Sequence, residues 1–178
     1  MQPNFSTLGI YDLPEPTRSG RVVVAASGRC VWEDLARVGG EHDTMAVNDA
    51  IAYYPTALTH AYSEHTELLP FWLARCKSKP LVHTATELLP HETYTKWPWP
   101  RHGSSSLGAV YTALALGYEE VILCGVPLDN SGHFYDPPWT PTNFLKEVPN
   151  MRYWSNAARN IFQGRVTSMS GRTRELLG

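Results

Sequence analysis

Two segments carry the residues best suited to chemistry. Asp129-Asn130-Ser131-Gly132-His133-Phe134-Tyr135-Asp136 gathers two carboxylates, a histidine and a tyrosine. A histidine titrates near neutrality and a phenol can donate to a leaving phosphate, so His133, Tyr135 and Asp129 offer acid–base groups. The competing reading is a turn of solvated polar groups, which suits Asp129 and Asn130 well. The second segment, Gly103-Ser104-Ser105-Ser106-Leu107-Gly108, precedes an apolar run and then Val121-Ile122-Leu123-Cys124-Gly125. It reads as a helix opening on small hydroxyl residues. The first helical turn has unpaired N–H groups and a partial positive charge, so Ser104, Ser105 and Ser106 suit an anion. Capping needs one hydroxyl and contributes about 1 kcal/mol, whereas a hydrogen bond to a charged group contributes about 1.5–3 kcal/mol. Three hydroxyls in a row are better used on a phosphate. A nucleophilic serine does not fit, because G-x-S-x-G is not matched.

Weaker candidates flank these. Ser27-Gly28-Arg29 follows a β-branched run where a phosphate turn would lie, but neither G-x-G-x-x-G nor a P-loop lysine is present. It is an ordinary turn or a phosphate contact, with Arg29 as a bidentate donor in the second case. Asn48-Asp49 ends another apolar run and could grip a ribose or base edge, or cap the next helical turn. Ser170 and Arg172, near the C-terminus, could supply a second anion contact or cap the last helix. His60 and His65 do not share a helix face and have no evident third ligand, so no metal site is expected.

The elements that must position these residues alternate. Arg21-Val22-Val23-Val24-Ala25-Ala26 is a short run fit for a strand covered on both faces, followed by Val31, Leu35 and Val38 at helical spacing. Further strands are expected at 44–47, 58–62, 81–84, 121–124 and near Val166. Helices are expected from Glu64, where Pro70 should kink or restart the turn, from Ser104 to Gly117, and around Tyr153–Phe162. The pattern predicts an α/β fold: a Rossmann-like, doubly wound, mainly parallel sheet in a single domain over residues 21–178, after an irregular N-terminal arm at 1–20. Ligands of such sheets bind beyond the carboxyl ends of the strands, where Ser27, Asn48, Ser63-Glu64-His65 and Gly125 fall. The segment Lys96-Trp97-Pro98-Trp99-Pro100 cannot be a helix or central strand. Its tryptophans form a lid, a contact between copies in a homo-oligomer, or plain packing.

Bulk composition narrows the partners. The 178 residues suffice for one conventional core, and a formal net charge of −2 with scattered basic residues argues against long nucleic acid. A small phosphorylated nucleotide is the partner class that remains. Three separated cysteines suit reduced thiols, no apolar run is long enough for a membrane span, and no signal segment is visible, so a cytoplasmic protein is expected.

With these residues assembled, the chain resembles the bacterial sialyltransferases that use CMP-sialic acid. The match runs from Ser105-Ser106 through Ala113-Leu114-Ala115-Leu116-Gly117-Tyr118-Glu119-Glu120-Val121-Ile122-Leu123-Cys124-Gly125, where that family has a Ser-Gly, a helix ending A-L-G-Y, a strand and a glycine. Val47-Asn48-Asp49 is similar to its cysteine-asparagine-glutamine strand end, Val24-Ala25-Ala26-Ser27-Gly28 to its first glycine turn, and Asn130–Tyr135 to a loop whose tyrosine contacts the donor phosphate. The resemblance implies that Asn48 and Ser105 contact nucleotide, that Gly125 lies against it, and that Tyr135 assists phosphate departure. It implies a glycosyltransferase with a CMP-type nucleotide-sugar donor, no required cofactor and an acceptor the residues do not identify. Pro127 stands where the family has an aspartate, and no histidine follows His133 to match the one in the family's lid. The same block resembles archaeal-type hydroxymethylpterin pyrophosphokinases, which would imply pyrophosphoryl transfer. The Ser168–Leu177 ending is similar to small phage or prophage proteins, which would imply a non-catalytic accessory protein with a degenerate pocket.

Overall fold

A computed structural model describes residues 3–88, 93–101, 104–137 and 147–178, with side chains of the last segment described from 150. Seven strands form one sheet: β1 (Arg21–Ala25), β2 (Asp43–Val47), β3 (His60–Tyr62), β4 (Leu81–Thr84), β5 (Thr95–Lys96), β6 (Glu120–Cys124) and β7 (Val166–Ser168). Their order is β5-β4-β3-β2-β1-β6-β7, and every pair is parallel. The expected mainly parallel sheet is therefore parallel throughout, in a single α/β domain. The chain steps outward from β1 to β5, then returns to the other side of β1 through β6. That reversal puts the topological switch point between β1 and β6.

Alternating side chains divide two apolar layers. Val23 and Ala25 of β1 face helices α1 (Val31–Arg37), α2 (Ala50–Tyr53) and α3 (Leu69–Leu73), which bury Val31, Ile51, Leu69 and Trp72. Val22 and Val24 face α4 (Ser105–Leu116). Helix α4 is apolar on nearly all sides, which is stable only for a helix covered all round. Its outer face is covered by Phe5, Trp97, Trp99, Trp154 and Phe162. The last two come from α5 (Glu147–Ala157) and the π-helical turn after it, Ala158–Phe162. A final helix, α6 (Gly171–Leu177), follows β7.

Several expectations shift. The segment of residues 1–20 read as an irregular arm contains a 3-10 turn, Phe5–Leu8, and Phe5 packs against Trp99 with the rings tilted and their centroids 4.9 Å apart. The helix expected from Glu64 begins only at Leu69, with Pro70 in its first turn, where a proline costs no hydrogen bond. The third strand is confined to His60–Tyr62 rather than 58–62. Trp97 and Trp99 are buried, stacked on one another at 5.4 Å, and donate to His83 Nδ1 and Thr112 Oγ1. They are packing, neither a lid nor a surface between copies. The unpredicted β5 lies just before them.

Candidate functional site at the carboxyl edge of the sheet

The connection from α4 to β6 is short, from Gly117 to Glu119, so α4 ends at the amino edge of the sheet and begins at the carboxyl edge. Ser104 is its N-cap, with Oγ accepting from Leu107 N at 3.4 Å. Ser105 is buried and Ser106 half-buried, while Gly103 lies outside the described residues. The first turn rests on the end of β3. A Cβ on Gly108 would lie 2.1 Å from the hydroxyl of Tyr62, so only glycine allows this approach. That hydroxyl is fully buried and has no hydrogen-bond partner among the described residues.

Neighbouring strand ends contribute further polar groups. Ser27, just past β1, is buried with Oγ unpartnered. Asn48, just past β2, has a positive φ of 55°, a strained setting for a side chain other than glycine, and its Oδ1 accepts from Ser63 Oγ at 2.8 Å. Strain of this kind concentrates where a fold must aim a group. Glu64 follows Ser63 and is buried. Burial pushes its carboxyl above the ordinary range, opposed by Arg101 at 3.9 Å.

The loop after β6 folds over this edge. Phe134 N donates to Ser27 O, Arg29 N donates to Gly132 O, and Gly28 pairs with His133 as an isolated antiparallel bridge. A Cβ at Gly28 would meet Gly125 O at 2.5 Å, so the β1 and β6 turns touch through bare backbone. The Arg29 guanidinium donates to the carbonyls of Ser131, Asp136 and Pro137 at 2.7, 3.1 and 3.2 Å. It therefore clamps the loop. Phe134 fixes the loop from the other side, edge-on to Trp32 and Tyr53 at 5.2 and 5.4 Å.

Held this way, the loop presents a pair of stacked rings. His133 and Tyr135 lie 5.0 Å apart and nearly coplanar in orientation, 2°. His133 Nδ1 lies 2.9 Å from Asp136 Oδ2, which also accepts the His133 backbone N–H at 2.9 Å. That backbone bond is the main reason the Asp136 carboxyl sits below its ordinary pKa. An ionised Asp136 beside Nδ1 places the imidazole proton there and leaves Nε2 as the acceptor. The half-exposed Tyr135 hydroxyl bonds to Asp49, and burial together with that carboxylate pushes its pKa upward. Asp49 also accepts from Trp72 Nε1 at 3.2 Å. Both acid–base candidates are thus oriented by carboxylates, Asp136 and Asp49.

Other sequence candidates hold the turns next to this edge. Asp129 Oδ1 accepts from Ser131 N at 2.9 Å and shapes the turn. Ser170 Oγ donates to Asp34 Oδ2 at 2.7 Å, in a buried cluster where Gly125 N and Arg37 Nη2 also donate to Asp34 at 3.0 and 2.7 Å. Arg172 N donates to Pro127 O at 2.8 Å. These groups tie α1 and α6 to the β6 turn. Burial raises the thiol of Cys30 in the same cluster to about 11, so it stays protonated. Sequence reasoning missed Tyr62 and Asp34. Gly108, set inside an otherwise apolar helix, was the one available sign of a close neighbour.

No group of three or more potential metal-ligating side chains occurs among the described residues, and none of their helices is long and apolar enough to cross a membrane. No family model matches the chain. No curated protein matches it. Solved structures do. The sialyltransferase CstII from Campylobacter jejuni, in complex with the substrate analogue cytidine-5'-monophosphate, is similar with a TM-score of 0.56 at 12% identity, covering 89% of this chain and 84% of that one. CST-II in complex with a trisaccharide acceptor and CMP gives 0.53 at 14%, covering 89% and 88%. The monofunctional alpha-2,3-sialyltransferase Cst-I from Campylobacter jejuni gives 0.52 at 12%, covering 86% and 76%. At such identities the likeness is one of fold: this chain shares the α/β architecture of these sialyltransferases.

Proposed function

We propose that the protein is a glycosyltransferase that seats a CMP-type nucleotide sugar across the carboxyl ends of β1, β2 and β3. The observation that carries this reading is the start of α4 set beside the ends of β2 and β3, with Ser104 capping the helix, Tyr62 against Gly108, and Asn48 at a positive φ accepting from Ser63. Tyr62 Oη and Ser27 Oγ are buried with no partner among the described residues, and side-chain movement on binding would let a ligand's polar groups reach them. The backbone N–H groups of α4's first turn, with Ser105 and Ser106, would hold the phosphate, and Asn48 the nucleoside. Structural neighbours crystallised with CMP support the choice of base.

In the transfer itself, His133 Nε2 would take the proton of the acceptor hydroxyl while Asp136 holds the ring. The acceptor oxygen forms the new glycosidic bond. The sugar–phosphate bond breaks, and its electron pair leaves on the CMP phosphate. On leaving Asp49, the Tyr135 hydroxyl would join the α4 amides in donating hydrogen bonds to that departing charge. His133 thereby takes the place of the lid histidine that the chain lacks.

A thermal-shift panel of CMP, CDP, UDP, ATP and CMP-sugars tests the reading. Saturating ligand, at about a hundredfold over its Kd, should stabilise the fold by about 2.7 kcal/mol. CMP and CMP-sugars should shift the transition most. No shift with any nucleotide overturns the reading in favour of an accessory protein, and a preference for ATP with pyrophosphate transfer would point to the pyrophosphokinase type.

A further inference from the structure

The turn after β3 sets an acid beside the start of α4. Ser63 Oγ donates to Asn48 Oδ1 at 2.8 Å and accepts from His65 N at 2.9 Å, while Thr86 Oγ1 donates to Glu64 O at 2.7 Å. These bonds pin the backbone around Glu64, whose side chain is only 7% exposed. Tyr62 lies against Gly108 of α4. Burial first, then the Glu64 charge, pushes the Tyr62 phenol's pKa upward, with Arg101 opposing. The Glu64 carboxylate is therefore close to the Tyr62 hydroxyl, next to the helix start that the reading above gives to the donor phosphate.

The partner this acid has is a poor one. Among the described residues its one ion pair is with Arg101 Nε at 3.9 Å, well beyond the about 2.7–2.9 Å of a charge-assisted hydrogen bond. Its carboxylate accepts no hydrogen bond from them. Arg101 is 59% exposed, so solvent weakens the pair further. A buried carboxylate held this loosely costs stability. Burial accordingly pushes its pKa up, against the pull of Arg101 and His65. Its oxygens do not join Tyr62 Oη among the sealed, unpartnered atoms, so they are open to an incoming group.

We propose that Glu64 selects the sugar to be transferred, accepting a hydrogen bond from a free hydroxyl of that sugar. The inference rests on the nucleotide reading: a phosphate on the α4 amides, with the nucleoside on Asn48, leaves the turn after β3 to the sugar. An ionised carboxylate only accepts, so Glu64 takes a hydroxyl donor and not an etherified or acylated one. A site built to bond a hydroxyl discriminates strongly against an analogue lacking it, because the buried group is then left unpaired. The hydroxyl also supplies the close partner that Arg101 does not.

Isothermal titration of the full chain with CMP and with a 3-fluoro CMP-sialic acid, a donor that resists cleavage, tests this. Wild type should bind the fluorinated donor more tightly than CMP. Glu64→Gln should shrink that gain at least about fivefold, the factor expected when a charge-assisted bond becomes a neutral one, with CMP affinity within about twofold of wild type. Its urea midpoint should hold or rise, since a poorly paired buried charge is removed. Should Glu64→Gln fold poorly, Glu64→Asp keeps the charge, draws the oxygens back by one methylene and should lose the gain as well. A gain untouched in either variant, or no gain in a wild type that binds CMP, overturns this inference alone. A lower urea midpoint with the gain intact assigns Glu64 to the fold and overturns it too. Wild type that binds neither ligand overturns the nucleotide reading, and this inference with it.

Discussion

Two buried polar regions of this sheet use similar residue types to opposite ends. From Trp97, beside β4, to Asp43 at the amino end of β2, a relay of side chains runs without a gap. Trp97 Nε1 donates to His83 Nδ1 at 3.1 Å, His83 Nε2 faces His60 Nδ1 at 3.0 Å, and His60 Nε2 faces the Tyr118 oxygen at 2.9 Å. Tyr118 then donates to Asp43. Because an indole can only donate, His83 must accept at Nδ1 and donate at Nε2, and the same order passes through His60 to the carboxylate. Every member is satisfied, and both rings are neutral. At the carboxyl edge a serine and a tyrosine are as deeply buried, yet their hydroxyls have no partner. A completed network rigidifies a core, whereas a buried polar atom without a partner calls for a separate explanation, for which the proposal above offers a ligand.

The largest effect expected from breaking this contrast is at the closed network. His60→Ala leaves His83 and the Tyr118 hydroxyl without partners and opens a cavity, so urea unfolding should show a loss of about 4 kcal/mol. CMP binding by the folded fraction should be unchanged. A loss under about 1 kcal/mol would mean that the relay contributes nothing beyond packing.

Acid should attack the same network next. Burial first, then the Arg18 charge, holds His60 at about 4, while Asp43 pulls the other way; burial and the His60 charge hold His83 at about 3. The unfolded rings titrate near 6.5, so below that pH the unfolded chain binds protons that the folded chain refuses. Stability is therefore complete above 6.5 and falls as the pH drops towards 4, by about 3 kcal/mol for His60 alone. Urea midpoints across that window should fall steeply in wild type and less so in His60→Asn; parallel slopes would contradict the assignment.

Changes at the open edge should invert the pattern. Tyr62→Phe removes a hydroxyl that bonds nothing, so stability should change by less than about 1 kcal/mol, or rise, while CMP affinity falls. Asn48→Gly keeps the positive-φ backbone and removes the amide, so again affinity should suffer more than the unfolding midpoint. Tyr135→Phe should slow transfer with CMP affinity nearly intact; equal loss of both would defeat its role at the leaving phosphate.

How far this contrast could be read from sequence follows from what periodicity encodes. The β-branched run Val22–Val24 and the capped, glycine-stopped α4 are local signals, and both stand where expected. Strand β5 is two residues long and carries no pattern. The relay was invisible because partners such as His60 and His83 meet through strand register, Tyr62 facing His83 across β3 and β4, and not through spacing along the chain. Arg29 stands at a strand end, but the acceptors of its guanidinium are carbonyls of a loop about a hundred residues away, which no local rule supplies. The same limit hid Tyr62: burial without a partner is a property of the assembled fold.

The most direct test is a crystal structure of the protein soaked with CMP. The account predicts a phosphate within hydrogen-bond reach of the first amides of α4, with Asn48 against the nucleoside and Ser27 or Tyr62 newly partnered. CMP seated anywhere else, or an edge whose hydroxyls stay unpartnered with CMP present at saturation, would contradict it.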